Sequence, residues 1–295
     1  VAMPGAELVT IASERTPLKG GSWISWSAIG PGLLVCLADT DAGCLIVASQ
    51  SGARWGYSLL PLQVLLIPIL FMAQELTIRL GVYTQQGHTA CIKAHFGPFW
   101  AWSACILLVF ECVCAMTSEI SGVAVVGELW GLNQTCGTVL AAGIVIMVVL
   151  CLNYRQIEVV GTALGLFELA FVVTMFALHP DPGEVFRGAH TFHAEPEFMG
   201  LVAANIGAVI MPWMIYFQQS AVVARRITPG EGMRQERSHT LVGSILTQLV
   251  MIGALVTLAA AGKARNLNSV QDILNAMEPA LGAEAAKVAV SLGFL

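Results

Sequence analysis

Apolar residues run along this chain in long blocks, not in the alternation of a half-buried strand or the narrow stripe of a surface helix. The blocks at 133–153, 157–178 and 240–262 each approach the roughly 20 residues needed to cross the hydrocarbon of a bilayer. The whole pattern predicts spans near 27–50, 57–80, 99–126, 133–153, 157–178, 199–222 and 240–262, with an eighth beginning near 283. A backbone in lipid must satisfy its own polar groups, and runs of this length do so as helices. The expected fold class is therefore an all-α membrane protein. Residues 1–26 read as an N-terminal segment and 27–295 as one transmembrane domain. The sequence stops inside an apolar run at Leu295, so C-terminal helices are expected beyond it.

Composition sharpens this picture. The chain is 56% hydrophobic and 11% charged, against roughly 25% charged in a soluble domain. A net charge of -5 with scattered Lys and Arg excludes the basic face that nucleic-acid binding needs. The eight cysteines lack zinc-ribbon or secreted-disulfide spacing; they read as small buried residues, with Cys44 the exception. Basic residues set orientation. Arg15, Lys19, Arg79, Lys93, Arg155, Arg225, Arg226, Arg234 and Arg237 fall on one side, against Arg54, Arg187, Lys263 and Arg265 on the other. This asymmetry predicts a cytoplasmic N-terminus; the expected location is the cell (inner) membrane, crossed several times.

Two spans carry interruptions. In the first, Leu37-Ala38-Asp39-Thr40-Asp41-Ala42-Gly43-Cys44 puts two carboxylates where a charge costs about 2.5 to 3.5 kcal/mol. A water-filled funnel, a buried arginine or a bound cation would each compensate. Gly43 weakens the helix there, and freed carbonyls beside an acid suit a cation. On that reading Asp41 is the ligand, and Asp39, two positions earlier, is a pore-mouth residue or one behind the ligands. In the sixth span, Gly207-Ala208-Val209-Ile210-Met211-Pro212 places proline inside the run, predicting an unwound turn centred on Ala208 to Met211. A membrane methionine is ordinarily a packing residue; only its place beside Pro212 gives Met211 a functional reading. Spans one and six stand five apart, the offset of an inverted five-helix repeat.

Together Gly30-Pro31-Gly32-Leu33-Leu34-Val35, Asp41-Ala42-Gly43-Cys44, Gly56-Tyr57-Ser58-Leu59-Leu60, Arg79-Leu80-Gly81-Val82 and Ile206-Gly207-Ala208-Val209-Ile210-Met211-Pro212 resemble the Nramp family of divalent metal transporters. The resemblance implies a LeuT-like inverted-repeat fold with discontinuous first and sixth helices. It also implies a metal site built from the Asp41 carboxylate, the Ala38 and Ala208 carbonyls and the Met211 thioether. The family's asparagine falls on Cys44, which ligates through sulfur or only packs; a sulfur ligand would favour manganese or iron over magnesium. The family's proton-handling histidines fall on Trp213 and Gln218, and an aspartate of the third span falls on Met116. Proton coupling then rests on other acids, Glu119 first by the resemblance, with Asp39, Glu111 and Glu168 as further candidates.

The function so implied is transport of a divalent metal, Mn2+ or Fe2+ in class, by alternating access. No resident cofactor is expected, and the partners are the ion and the lipid bilayer around a monomer. Magnesium transport, as in an Nramp-related branch, and an organic-ion transporter on the same fold are the alternatives. No His-Glu-x-x-His motif or nucleophile elbow supports an enzyme. Glu75 and Arg79 read as a helix-end pair, Gln63 and Gln74 as packing residues and Trp100, Trp102 and Trp130 as an interfacial belt. The segment 180–198, with His190, His193, Glu195 and Glu197, reads as a solvated loop.

Overall fold

The computed structural model describes residues 35–36, 38–262, 267 and 269–294. The expected N-terminal segment, Gly30-Pro31-Gly32, Lys263 and Arg265 lie outside the described residues. All regular structure among these residues is helical: α1 Ala42–Trp55, α2 Leu60–Thr84, α3 His88–Phe96, α4 Pro98–Leu129, α5 Gln134–Cys151, α6 Tyr154–Gly165, α7 Ala170–Ala177, α8 Pro182–Ala189, α9 Pro196–Val209, α10 Pro212–Ala224, α11 Glu231–Ala261, α12 Val270–Leu281 and α13 Ala283–Gly293. Proline opens α2, α4, α8, α9 and α10 within the first two positions, where its missing N–H has no intrahelical partner to lose.

Six stretches among the described residues are long and apolar enough to cross a membrane: Leu60–Thr84, Pro98–Leu129, Gln134–Cys151, Val159–Ala177, Pro196–Ala224 and Glu231–Ala261. They match the second to seventh expected spans to within a few residues, except that α11 starts nine residues before the expected 240. The eighth run begins at Ala283 as expected, preceded by α12, which the pattern had not separated.

Burial separates core from lipid-facing helices. In α11, 67% of the most apolar window is buried, against 6% in α4 and 11% in α5, so α11 is the central post. It crosses α1 at Gly52, where an added Cβ would lie 2.0 Å from the Leu255 carbonyl oxygen. Only glycine allows backbones so close. The outer faces of α4 and α5 present Phe99, Trp102, Ile106, Phe110, Ile144 and Leu150 outward, an apolar surface suited to acyl chains.

Polar side chains tie the core helices together. Gln63 on α2 donates to Asn205 Oδ1 on α9 at 2.6 Å, and Asn205 Nδ2 donates to Ser51 Oγ on α1 at 2.8 Å. Gln74 accepts from the Cys36 thiol at 3.0 Å. Buried Glu75 pairs with Arg79 at 2.6 Å and also with Arg237 of α11 at 2.8 Å, so the expected helix-end contact extends to a second helix.

Three expectations need correction. Cys112, Cys114, Cys136 and Cys151 are exposed on the outer helix faces instead of buried, because α4 and α5 turn most of their surface outward. The loop 180–198 carries α8, whose N-cap Asp181 accepts from Gly183 N and whose Gly188 sits against Tyr57. Trp130 is more than a belt residue: its indole N–H donates to Ser291 Oγ at 2.8 Å, and Lys287 lies 4.3 Å from its ring.

Candidate metal centre

The first break is a non-helical stretch, Ala38 to Asp41, that ends where Asp41 caps α1. The Asp41 Oδ1 accepts the backbone N–H of Cys44 at 2.6 Å, a cap that also places negative charge at the positive end of the helix. Gly43 lies inside the first turn of α1, not at the break. The interruption comes from Asp41 acting as a cap, which serves the orphan N–H groups of a new helix start.

The second break is displaced toward the C-terminus from its expected centre. α9 continues through Val209, and only Ile210 and Met211 leave helical geometry, with Met211 as the extended N-cap of α10. The cause is Pro212, which has no N–H for the carbonyl four residues back, that of Ala208. The freed Ala208 oxygen is met by the thiol of Cys44 at 3.2 Å. Cys44 therefore joins the two breaks, its backbone N–H on Asp41 and its thiol on Ala208.

Met211 is partly buried and packs against the cluster holding Ala42 and Cys44 as well as that holding Val35, Val209 and Met214. Ala38, Thr40 and Asp41 line a cavity of about 490 Å3 with Met116, Glu119, Glu168 and Trp213. No Lys, Arg or His is among the described residues lining it, so it is acidic and suited to a cation. No group of three His, Cys, Asp or Glu side chains among the described residues is arranged to hold a metal unaided; a site here needs the carbonyls and the thioether.

Two glutamates grip the first break. Glu119 Oε1 on α4 accepts the N–H of Ala42 at 2.9 Å, and Glu168 accepts the hydroxyl of Thr40. Glu168 stands on a feature the sequence reading missed, a 3-10 turn, Leu166–Leu169, that interrupts the fifth span between α6 and α7. Its only signal was the glutamate itself, since Gly165-Leu166-Phe167-Glu168 contains no proline. Asp39 is 1% exposed, does not line the cavity, and both its carboxylate oxygens are buried without a hydrogen-bond partner among the described residues. Of its two expected places this removes the pore mouth and leaves the one behind the ligands. Of the two positions that replace the family's histidines, Trp213 lines the cavity, while Gln218 is buried and donates to Thr240 Oγ1 at 3.1 Å.

The sequence profile described as Nramp, natural resistance-associated macrophage protein-like, matches residues 32–295. The chain belongs to the Nramp family. A relative named divalent metal cation transporter MntH, from Brucella suis, is 28% identical over 284 residues, covering 91% of this chain and 62% of that protein. Another of the same name, from Bradyrhizobium diazoefficiens, is 27% identical over 303 residues, covering 96% of this chain and 67% of that protein. The crystal structure of the Eremococcus coleocola manganese transporter, in complex with an aromatic bis-isothiourea substituted compound, superposes with a TM-score of 0.75 at 19% identity, over 96% of this chain and 64% of that one. This Nramp chain thus spans a little over three fifths of the Brucella relative's length. It is a multi-pass membrane protein with the LeuT-like Nramp fold, interrupted in its first and sixth spans.

Proposed function

We propose that this Nramp chain carries a divalent metal ion of the manganese or iron class across the membrane by alternating access. The observation that carries the reading is the junction of the breaks: Cys44 reaches Ala208 O at 3.2 Å, beside Asp41 on one helix start and Met211 on the other. The ion is held by the Asp41 carboxylate, the Ala38 and Ala208 carbonyls and the Met211 thioether, with Cys44 releasing Ala208 to join them. Carboxylate and carbonyl oxygens satisfy any divalent cation, whereas a thioether adds affinity for transition metals and little for strongly hydrated Mg2+. Relatives named as divalent metal cation transporters support the same class of cargo.

Glu119 and Asp39 are the acids assigned to a proton route, because Trp213 and Gln218 do not titrate near neutral pH. The protein sits in the inner membrane as a monomer with its N-terminus in the cytoplasm, takes no resident cofactor and binds no nucleic acid. Transport of an organic anion is disfavoured, since Asp41 lines the cavity and would repel a substrate carboxylate.

The test is uptake of Mn2+, Fe2+, Zn2+ and Mg2+ into proteoliposomes of the protein, with internal pH recorded. Mn2+ and Fe2+ are expected to enter faster than Mg2+, and Glu119→Gln to lessen any accompanying acidification. Uptake of no divalent ion, or preference for Mg2+, overturns the proposal.

A further inference from the structure

We propose that Glu168, on the 3-10 turn of the fifth span, is a positioning residue for the first break: by holding Thr40 it sets the Asp41 carboxylate and the Ala38 carbonyl toward the cargo. The inference rests on the cargo site proposed above and adds to it a residue that the ligand set does not contain.

The stretch from Ala38 to Asp41 is not helical, so other bonds must keep it in one conformation against the entropy of a released backbone. Upstream, the Asp39 N–H reaches the Cys36 carbonyl at 3.3 Å. Downstream, Asp41 Oδ1 accepts the Cys44 N–H at 2.6 Å and Glu119 Oε1 accepts the Ala42 N–H at 2.9 Å. Both of these downstream bonds fix the start of α1. Within the stretch itself, the Thr40 hydroxyl donates to the Glu168 carboxyl group. Thr40 immediately precedes Asp41 and stands two residues past Ala38, so this bond ties down the backbone between the ligand carboxylate and the ligand carbonyl. Thr40 is 2% exposed, which leaves water little access to take the place of Glu168.

The fifth span carries the features this contact needs. Gly161, Leu164, Gly165 and Glu168 line the cavity, and the two glycines leave that wall without bulk beside the break. The span then tightens into the 3-10 turn Leu166–Leu169, a geometry with poorer hydrogen bonds than the α-helix and unusual inside a long one. From this turn Glu168 reaches Thr40, 128 residues away. Packing alone does not explain the residue, because an acid within a span costs about 2.5 to 3.5 kcal/mol and leucine would fill the position without that cost. What Glu168 supplies and leucine cannot is an acceptor for the broken segment.

The experiment compares Mn2+ uptake by reconstituted parent, Glu168→Gln, Glu168→Leu, Thr40→Ser, Thr40→Val and Glu168→Leu/Thr40→Val proteins. Glu168→Leu and Thr40→Val are each expected to raise KM for Mn2+ about tenfold with kcat little changed, the size of one lost buried hydrogen bond. Glu168→Gln keeps the acceptor and Thr40→Ser keeps the donor, so both are expected to hold KM within about twofold of the parent. The double variant is expected to be no worse than the poorer single one, since both substitutions remove the same bond. Additive losses, or a parent-like KM in Glu168→Leu, overturn the positioning role while leaving the cargo site intact. A KM in Glu168→Gln as high as in Glu168→Leu also overturns it, because the negative charge and not the bond to Thr40 would then matter. Absence of Mn2+ uptake by the parent overturns the cargo reading itself and this inference with it. If Glu168→Leu does not fold, Glu168→Met takes its place in the cycle, and Thr40→Val tests the same bond from its donor side.

Discussion

At the scale of single residues the site divides into ligand candidates and the groups that hold them. Asp41 is both, since its Oδ1 caps α1 through the Cys44 N–H while its carboxylate supplies charge to the cavity. Met211 is the residue with no structural necessity as methionine. It is partly buried at the margin of two apolar clusters, where leucine or alanine would pack. Met211→Ala is therefore expected to lower Mn2+ uptake about tenfold relative to Mg2+ uptake, by loss of the one soft donor. Competition uptake with both ions measures this ratio, and an unchanged ratio counts against the thioether as ligand. Asp41 and Met211 stood out in the sequence because charge and proline inside an apolar run are conspicuous, whereas Ala38 and Ala208 entered only through the resemblance to the family. The burial of Asp39 was not legible, because a two-residue offset says which way a side chain turns but not what covers it.

At the scale of elements, the second to seventh spans were read from hydrophobic length and hold to within a few residues except at the start of α11, whereas the interruptions were only partly visible. Proline identified the sixth-span break, and its displacement to Ile210 and Met211 follows from which carbonyl Pro212 disfavours. The fifth-span turn at Leu166–Leu169 left no such mark, because Leu, Phe and Glu are compatible with an ordinary helix. Its partner Thr40 is 128 residues away from Glu168, and no local pattern predicts a pairing of that separation. The short α8 was legible and overlooked: Asp181-Pro182 is a cap followed by proline at the first helical position. The role of Pro212 gives the prediction at this scale. Pro212→Ala returns an N–H to Ala208 O, so α9 and α10 are expected to join into one helix. Mn2+ affinity should fall about tenfold or more as that carbonyl is withdrawn, read by calorimetric titration. Unchanged affinity would mean that Ala208 contributes nothing to the site.

At the scale of the molecule, α11 serves as the buried post around which α1 and α2 pack, with α4 and α5 turned outward. Polar ties such as Gln63–Asn205–Ser51 and Arg79–Glu75–Arg237 hold the arrangement across helices, which matters in a bilayer where apolar surface has little preference for protein over lipid. Two broken helices meeting at Cys44 and Ala208 within this frame create a localised acidic site that an unbroken bundle would lack. The proposed transport depends on that site holding a metal through Asp41. The most direct measurement is Mn2+ binding to the purified protein and its Asp41→Ala variant by isothermal titration calorimetry, with folding of both verified by thermal melting. Loss of Mn2+ affinity on the order of 100-fold in the variant is the predicted result; equal Mn2+ affinity in the two proteins would contradict it.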